Sequence, residues 1–341
     1  MKIQSIINAA IILCITLFLS ACQDKGKDNN TLVLLLFTDP RSAGDQKTFA
    51  ADGISFKMVY VPGGMTFPTG TDDSGIAIVK KAFWIGETEV TYQLWDKVRT
   101  WAVTHGYTFI NTGTMGDGTG DTNQHPVTTI NWRESMVWCN ALTEWYNEQK
   151  NTRYSCTYYS DSGYTTPIRT VVDNASAVYP DPGGQDDPYV KANATGFRLP
   201  LSNEWELAAR YVGDANHDGD ILDPGEYYHG DHVSGDTTSY CYPVDSGTST
   251  VFGKYAVYKD NSGTSTAPVK SSLPNALGIY DMSGSEQEWC FDWHPSYIGT
   301  GRIRRGGGWY NNSEPLQIGL TFGDNPAYED PVIGFRLAMN R

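Results

Sequence analysis

The stretch Pro274-Asn275-Ala276-Leu277-Gly278-Ile279-Tyr280-Asp281-Met282-Ser283-Gly284 runs on to Glu288-Trp289-Cys290, and Arg305-Gly306-Gly307-Gly308-Trp309 and Gly334-Phe335-Arg336-Leu337 follow it. Glycines set beside large rings let backbone pass close to a bulky side chain. An earlier segment, Gly196-Phe197-Arg198-Leu199-Pro200 ahead of Glu204-Trp205-Glu206, has the same character. Trp205, Trp289 and Trp309 are therefore expected in the core. Arg198 and Arg336, each between an aromatic residue and Leu, are expected as buried donors that tie loop carbonyls together. The composition agrees: the 341 residues include 35 Gly, 10 Trp and 21 Tyr, but only 19% are charged. That describes a loop-rich globular protein and excludes a coiled coil. A formal charge of -14 offers no basic face to a polyanion, so nucleic acid is not an expected partner.

Helical periodicity is confined to three places. The first is 91–103, with Leu94, Val98, Trp101 and Ala102 on one face. In the second, Asn131 and Glu134 have the spacing of a capping box, and Met136, Cys139, Leu142 and Tyr146 recur behind them at helical intervals. The third opens after Pro200 at Ser202 or Asn203, with Glu206 placed to return a cap bond and Trp205, Ala208, Ala209 and Val212 turned inward. The rest reads as short strands and loops, with 112–123 and 154–192 as surface insertions. Cys139, Cys156, Cys241 and Cys290 show no framework spacing and read as mostly buried thiols. The six histidines show no paired metal-ligand spacing, and His229 and His232 fall in a Gly/Asp loop. Over 214–226, oxygen-bearing Asp214, Asn216 and Asp218 alternate, Gly219 stands sixth, Asp220 seventh and Ile221 eighth. That order resembles an EF-hand calcium loop with its acidic closure displaced to Glu226, so Asp214, Asn216, Asp218 and Asp220 are candidate structural calcium ligands.

The N-terminus bears on compartment. Met1 and Lys2 precede an apolar run over 11–19, and Leu19-Ser20-Ala21-Cys22 ends it. This resembles a bacterial lipoprotein signal, which implies removal of 1–21, acylation of Cys22 and membrane attachment through the lipid alone. The expected organisation is a signal over 1–21, a polar linker over 22–46 with one strand at 32–37, and a single domain over 47–341. The expected location is the bacterial outer membrane and cell surface.

Phe56-Lys57-Met58-Val59-Tyr60-Val61-Pro62-Gly63-Gly64, Glu87-Thr88-Glu89-Val90-Thr91 and His125-Pro126-Val127 precede the segments quoted above. In this order the whole set resembles the formylglycine-generating-enzyme, or sulfatase-modifying-factor, domain. The resemblance implies an α+β fold of the C-type lectin type, loop-rich, with short antiparallel strands, about three helices and a C-terminal face that forms the site. Enzymatic members need two C-terminal cysteines that bind copper and exchange with the substrate thiol. Asn311 and Leu316 stand in those places and the last cysteine is Cys290. No catalytic residue and no catalytic cofactor are therefore expected. The resemblance also places Asp281 and Glu288, with the Gly284 and Glu286 carbonyls between them, at positions that hold structural calcium in family members.

The segment over 305–341 further resembles the variable region of retroelement-diversified lipoproteins of the Treponema variable protein class. That resemblance marks Tyr310, Asn311, Asn312, Pro315, Leu320, Phe322, Gly323, Asp324, Asn325, Tyr328, Asp330, Pro331 and Val332 as variable, ligand-binding positions. All are residue types reachable from an asparagine codon by changing its first two bases. Trp309, Glu314, Gln317, Glu329 and Met339 are not, and read as fixed. Tyr310, Phe322 and Tyr328 supply broad amphipathic contact area, and Asn311, Asn312 and Asp324 supply adaptable hydrogen bonds. The expected function is non-catalytic binding of a protein or small ligand on another cell or a host. The alternatives are an invariant adaptor or scaffold lipoprotein of the same fold and, behind it, an oxidase of the parent family.

Overall fold

An Asp-Gly pair between two alternating runs is the local signal from which the main sheet begins. Asp52 and Gly53 both take positive φ, 46° and 80°, which closes a two-residue turn of the kind that matches strand twist. It joins β1 (Gln46–Ala51) to β2 (Ile54–Val61) with Ala51 opposite Ile54. A computed structural model describes residues 41–116, 124–236 and 251–341. The expected signal, Cys22, the 32–37 strand, Cys241 and most of the 112–123 insertion lie outside the described residues. The folded unit is Ser42–Arg341. It takes in the end of the expected linker, where the Gly44 N–H donates to the Tyr60 carbonyl at 3.0 Å.

Next come β3 (Met65–Thr69), β4 (Gly75–Val79), β5 (Phe83–Glu89), α1 (Tyr92–Val103), β6 (Thr114–Met115), β7 (Val127–Thr128) and α2 (Trp132–Lys150). The chain continues through β8 (Tyr158–Tyr159), β9 (Tyr189–Val190), β10 (Phe197–Arg198), α3 (Ser202–Arg210) and a short turn, α4 (Phe252–Tyr255). It ends with β11 (Gln287–Trp293), β12 (Arg302–Arg305), β13 (Phe322–Asp324), β14 (Ile333–Gly334) and β15 (Arg336–Asn340). A five-stranded antiparallel sheet has the order β1-β2-β5-β15-β10, and a four-stranded sheet has the order β13-β12-β11-β14. In the second, β14 runs parallel to β11. This is the α+β architecture expected from the sequence.

The larger sheet is covered on both faces, which β2 shows by alternation. Met58 and Tyr60 enter one core with Trp95, Trp138 and Phe335 from α1, α2 and the β15 approach. Val59 and Val61 enter a second core with Trp205, Ile279 and Cys290. Trp95 stacks on Trp138 with centroids 5.5 Å apart, a contact worth about 0.5–1.5 kcal/mol beyond the area it buries.

The capping box at α2 forms as expected: Asn131 Oδ1 accepts the Glu134 N–H at 3.0 Å and Glu134 Oε2 accepts the Asn131 N–H at 3.1 Å. At α1 the fully buried ring is Trp95, and Trp101 is only half-buried. At α3 the cap falls earlier than expected. Glu204 returns the bond to the Leu201 N–H at 2.9 Å, because Glu206 is drawn into ion pairs with Arg210 and Arg305. The 154–192 segment is more than a surface insertion, since Tyr158, Ile168 and Val171 are core residues. Fully buried Arg133 holds it through Asp186 at 2.7 and 2.8 Å and through the Asn174 and Ser176 carbonyls. Trp205 and Trp289 are buried as expected, whereas Trp309 lies half-exposed at the core margin. Cys139, Cys156 and Cys290 are free and buried.

Arg336 joins the two sheets. Its guanidinium donates to both Glu288 oxygens at 2.6 and 2.7 Å, and to the Gly86, Tyr280 and Asp281 carbonyls at 3.1–3.2 Å. Replacing it alone strands a buried carboxylate. Arg336→Met is expected to lower unfolding stability by about 3–5 kcal/mol, read as a reduced denaturant midpoint. Arg169→Met, which removes the surface pair with Glu144 and the contact over the Tyr107 ring, is expected to cost no more than about 2 kcal/mol.

Candidate ligand-binding face

The alternation Arg302-Ile303-Arg304-Arg305 on β12 divides its side chains between two faces. Ile303 and Arg305 turn to the second core. There Arg305 bonds Ser202 Oγ, Glu206 and the Ile318 carbonyl at 2.9, 2.7 and 3.1 Å. Arg302 and Arg304 turn the other way. Arg302 lies between the rings of Trp132 and Trp293 at 3.8 and 3.6 Å. Arg304 lies over Trp289 and Tyr328, 5.7 Å from each, and donates to Gln287 and Asp324. Burial pulls its guanidinium down to about 10, still charged at neutral pH. Beside β13, Tyr297 and Ile298 are exposed on the turn after β11. The result is a face with aromatic rims, a buried cation beneath and amides between.

The segment between Trp309 and Ile333 crosses this face. Tyr310 is 47% exposed and Tyr328 42%. Asn312 and Pro331 are also exposed, and Asn311, Pro315, Leu320, Phe322, Gly323, Asp324, Asn325 and Asp330 are half-exposed. Val332 departs from the expected set. It is 3% exposed in the first core, because its carbonyl accepts the Gln287 N–H at 2.7 Å and turns the residue inward ahead of β14. Between these positions the chain is anchored: Ser313, Leu316, Gln317 and Ile318 are buried, and Ile318 and Gly319 bond the His232 and Gly230 carbonyls at 3.0 and 2.8 Å.

Several expected variable positions also serve the fold. Asn311 Oδ1 accepts the Gly308 N–H at 2.8 Å, Asn325 Oδ1 the Ala327 N–H at 2.9 Å, and Asp330 Oδ1 the Val332 N–H at 3.2 Å. A Cβ on Gly323 would lie 2.8 Å from both His294 Cβ and Tyr297 Cδ2. The sequence reading missed Arg302, Arg304, Trp293 and Tyr297. The period-two arginines of β12 were the available signal.

The two positions expected to stand in place of the enzymatic thiols have different surroundings. Asn311 is half-exposed, while Leu316 is 0% exposed among Val233, Phe252, Ala256 and Tyr258. Burial pushes the Cys290 thiol well up. Of the expected calcium positions near Arg336, Glu288 is committed to that guanidinium and to Trp205 Nε1 at 2.8 Å. Asp281 accepts the Lys270 N–H at 2.6 Å. Arg336 thus supplies a positive charge to Glu288, whereas Asp281 Oδ1 is buried with no hydrogen-bond partner. Burial, then the nearby Asp281, pushes the Glu89 carboxyl well up, and neither of its oxygens has a hydrogen-bond partner.

The family model for the sulfatase-modifying factor enzyme 1-like domain matches residues 46–341. The chain is 26% identical to the chaperone protein LppX of Paenibacillus barcinonensis over 300 residues, which covers 84% of this chain and 90% of that protein. It is 29% identical to the formylglycine-generating enzyme of Streptomyces coelicolor, covering 45% of this chain and 50% of the enzyme. Among solved structures it is similar to Treponema denticola variable protein 1, with a TM-score of 0.61 and 27% identity over 87% of this chain and 99% of that one.

Two outcomes follow from these contacts. Gly323→Ala is expected to cost about 1–3 kcal/mol, since the added carbon must displace packed atoms, whereas Tyr310→Ala is expected to stay within about 0.5 kcal/mol; denaturant midpoints measure both. Folded Glu89 keeps a proton that the unfolded chain releases above its ordinary value of 4.5, so its share of stability is lost as pH rises from there. Glu89→Gln is expected to flatten that fall, which one proton limits to about 1.4 kcal/mol per pH unit, in melts run between pH 4 and 8.

Proposed function

The chain belongs to the sulfatase-modifying factor enzyme 1-like domain family, and from that membership we propose that it is a non-catalytic lipoprotein that binds ligands through its C-terminal face. The observation that carries this reading is the exposure of Tyr310, Tyr328 and their neighbours on a segment whose intervening residues are buried. Rigid amphipathic rings beside amide groups, set on a fixed frame, are the composition of a recognition surface. The chain has no cysteine beyond Cys290, so the thiol chemistry of the family's enzymes has no nucleophile on this face.

In this reading the side chains at Tyr310, Asn311, Asn312, Pro315, Leu320, Phe322, Gly323, Asp324, Asn325, Tyr328, Asp330 and Pro331 differ between copies of the gene through a retroelement. The likeness to the Treponema denticola variable protein supports it. Acylated Cys22 attaches the protein at the outer membrane, and the ligand is a protein or small molecule on another cell or a host. A second reading, an invariant adaptor or scaffold lipoprotein of the same fold, is favoured by the similarity to LppX across most of both chains.

Sequencing the 3′ end of the gene from several isolates separates the two. Differences clustered at these codons, with a near-duplicate template and a reverse transcriptase nearby, are expected; identical ends in every isolate would exclude diversification and favour the adaptor or scaffold role. Copper titration with oxygen uptake on a cysteine peptide is expected to give no turnover, and measurable turnover would restore the oxidase reading.

A further inference from the structure

The loop over 214–226 carries five carboxylates and no Lys or Arg. Among the described residues no ion pair neutralises any of them; the salt bridges that form near it, at Arg210, go to Asp73 and Glu206. The loop is built on a folded base. The Val212 and Gly213 N–H groups donate to the Glu226 carbonyl at 2.9 and 3.2 Å, and Tyr211 bridges Tyr227. Its sixth residue, Gly219, takes φ +90° and donates to Asp214 Oδ2 at 3.3 Å. The eighth, Ile221, is fully buried, and its N–H donates to the Thr66 carbonyl at 3.0 Å.

A separate observation points to a ligand. Glu226 is only 5% exposed. One of its oxygens accepts the Ala215 N–H at 2.7 Å, which turns the carboxylate into the loop, and the other is buried with no partner. Asp214 presents the same situation: Oδ2 is held by Gly219, and Oδ1 is buried and unpartnered. Two orphaned anionic oxygens from the first and last residues of one loop are costly to bury without a cation.

We propose that this loop binds calcium, with Asp214 Oδ1 and Glu226 Oε2 as its anchoring ligands and Asn216, Asp218 and the Asp220 carbonyl completing the oxygen shell. Calcium suits a flexible, all-oxygen set, whereas magnesium demands a tighter octahedron. No three carboxylates, thiols or imidazoles already converge among the described residues. The ion therefore draws the loop closed, and the affinity is weak, on the order of 10⁻⁴ to 10⁻³ M, as in extracellular modules.

The test uses the whole mature chain, stripped with EDTA and titrated with calcium or magnesium chloride by calorimetry and by thermal melting. Calcium at roughly ten times such a dissociation constant is expected to raise the melting temperature by a few degrees, with a much smaller rise from magnesium. Glu226→Gln keeps an acceptor for the Ala215 N–H and removes the charge. It is expected to weaken calcium binding at least tenfold without lowering the melting temperature in EDTA. Asp218→Asn, on an exposed residue, is expected to weaken binding in the same direction, and it decides alone if Glu226→Gln does not fold. No calcium-dependent rise in the wild-type chain, an equal rise with magnesium, or wild-type affinity in the folded variants would overturn the assignment.

Discussion

A guanidinium buried among carboxylates holds the two sheets in one frame. Arg336 makes five contacts: Nε and Nη2 meet the two Glu288 oxygens on β11, Nη1 meets the Gly86 carbonyl on β5, and Nη2 also reaches the loop carbonyls of Tyr280 and Asp281. Short strands and loops leave many backbone acceptors without ladder partners, and a planar fork with five donors can collect several at once. A lysine at this position could neutralise Glu288 but could not reach the three carbonyls in fixed directions. The same geometry fixes the end of the 310–332 segment, because Arg336 stands just beyond β14.

Arg305 does the corresponding work at the start of that segment, through Ser202, Glu206 and the Ile318 carbonyl. The segment thus leaves one buried arginine and returns to another, and Ile318 and Gly319 fasten its middle to the 230–232 turn. Exposed side chains between these fixings, such as those of Tyr310 and Asn312, can change with small effect on the cores. Side chains at the fixings cannot. That division of labour links the packing of the domain to the recognition role proposed for its face.

Much of this frame was legible in the sequence, because its signals are local or strongly patterned. The Asn131/Glu134 capping box, the α1 and α2 periods, and the buried Trp205, Trp289, Arg198 and Arg336 all follow from neighbouring residues. What was missed depends on partners far along the chain. Glu206 reads locally as a cap for α3, yet Arg305, distant in sequence, takes it. Arg133 reads as a polar helix position, yet it is the anchor of the 172–187 loop. Val332 satisfies the codon rule but sits where the chain turns into the core. On the candidate face, the aromatic and amide residues were readable from composition, whereas the stacked Arg302 and the roofed Arg304 emerge only when β11, β12 and α2 are brought together.

The close approach at Gly323 has a consequence for any population of copies that differ along this segment. His294 and Tyr297 leave no room there for even a single carbon without adjustment, and Asn325 and Asp330 spend their oxygens on the loop's own amides. Random substitution at such places would produce some chains that never reach the native fold. The working repertoire would then be smaller than the genetic one, with folding itself acting as the first sieve and affinity for a target only as the second.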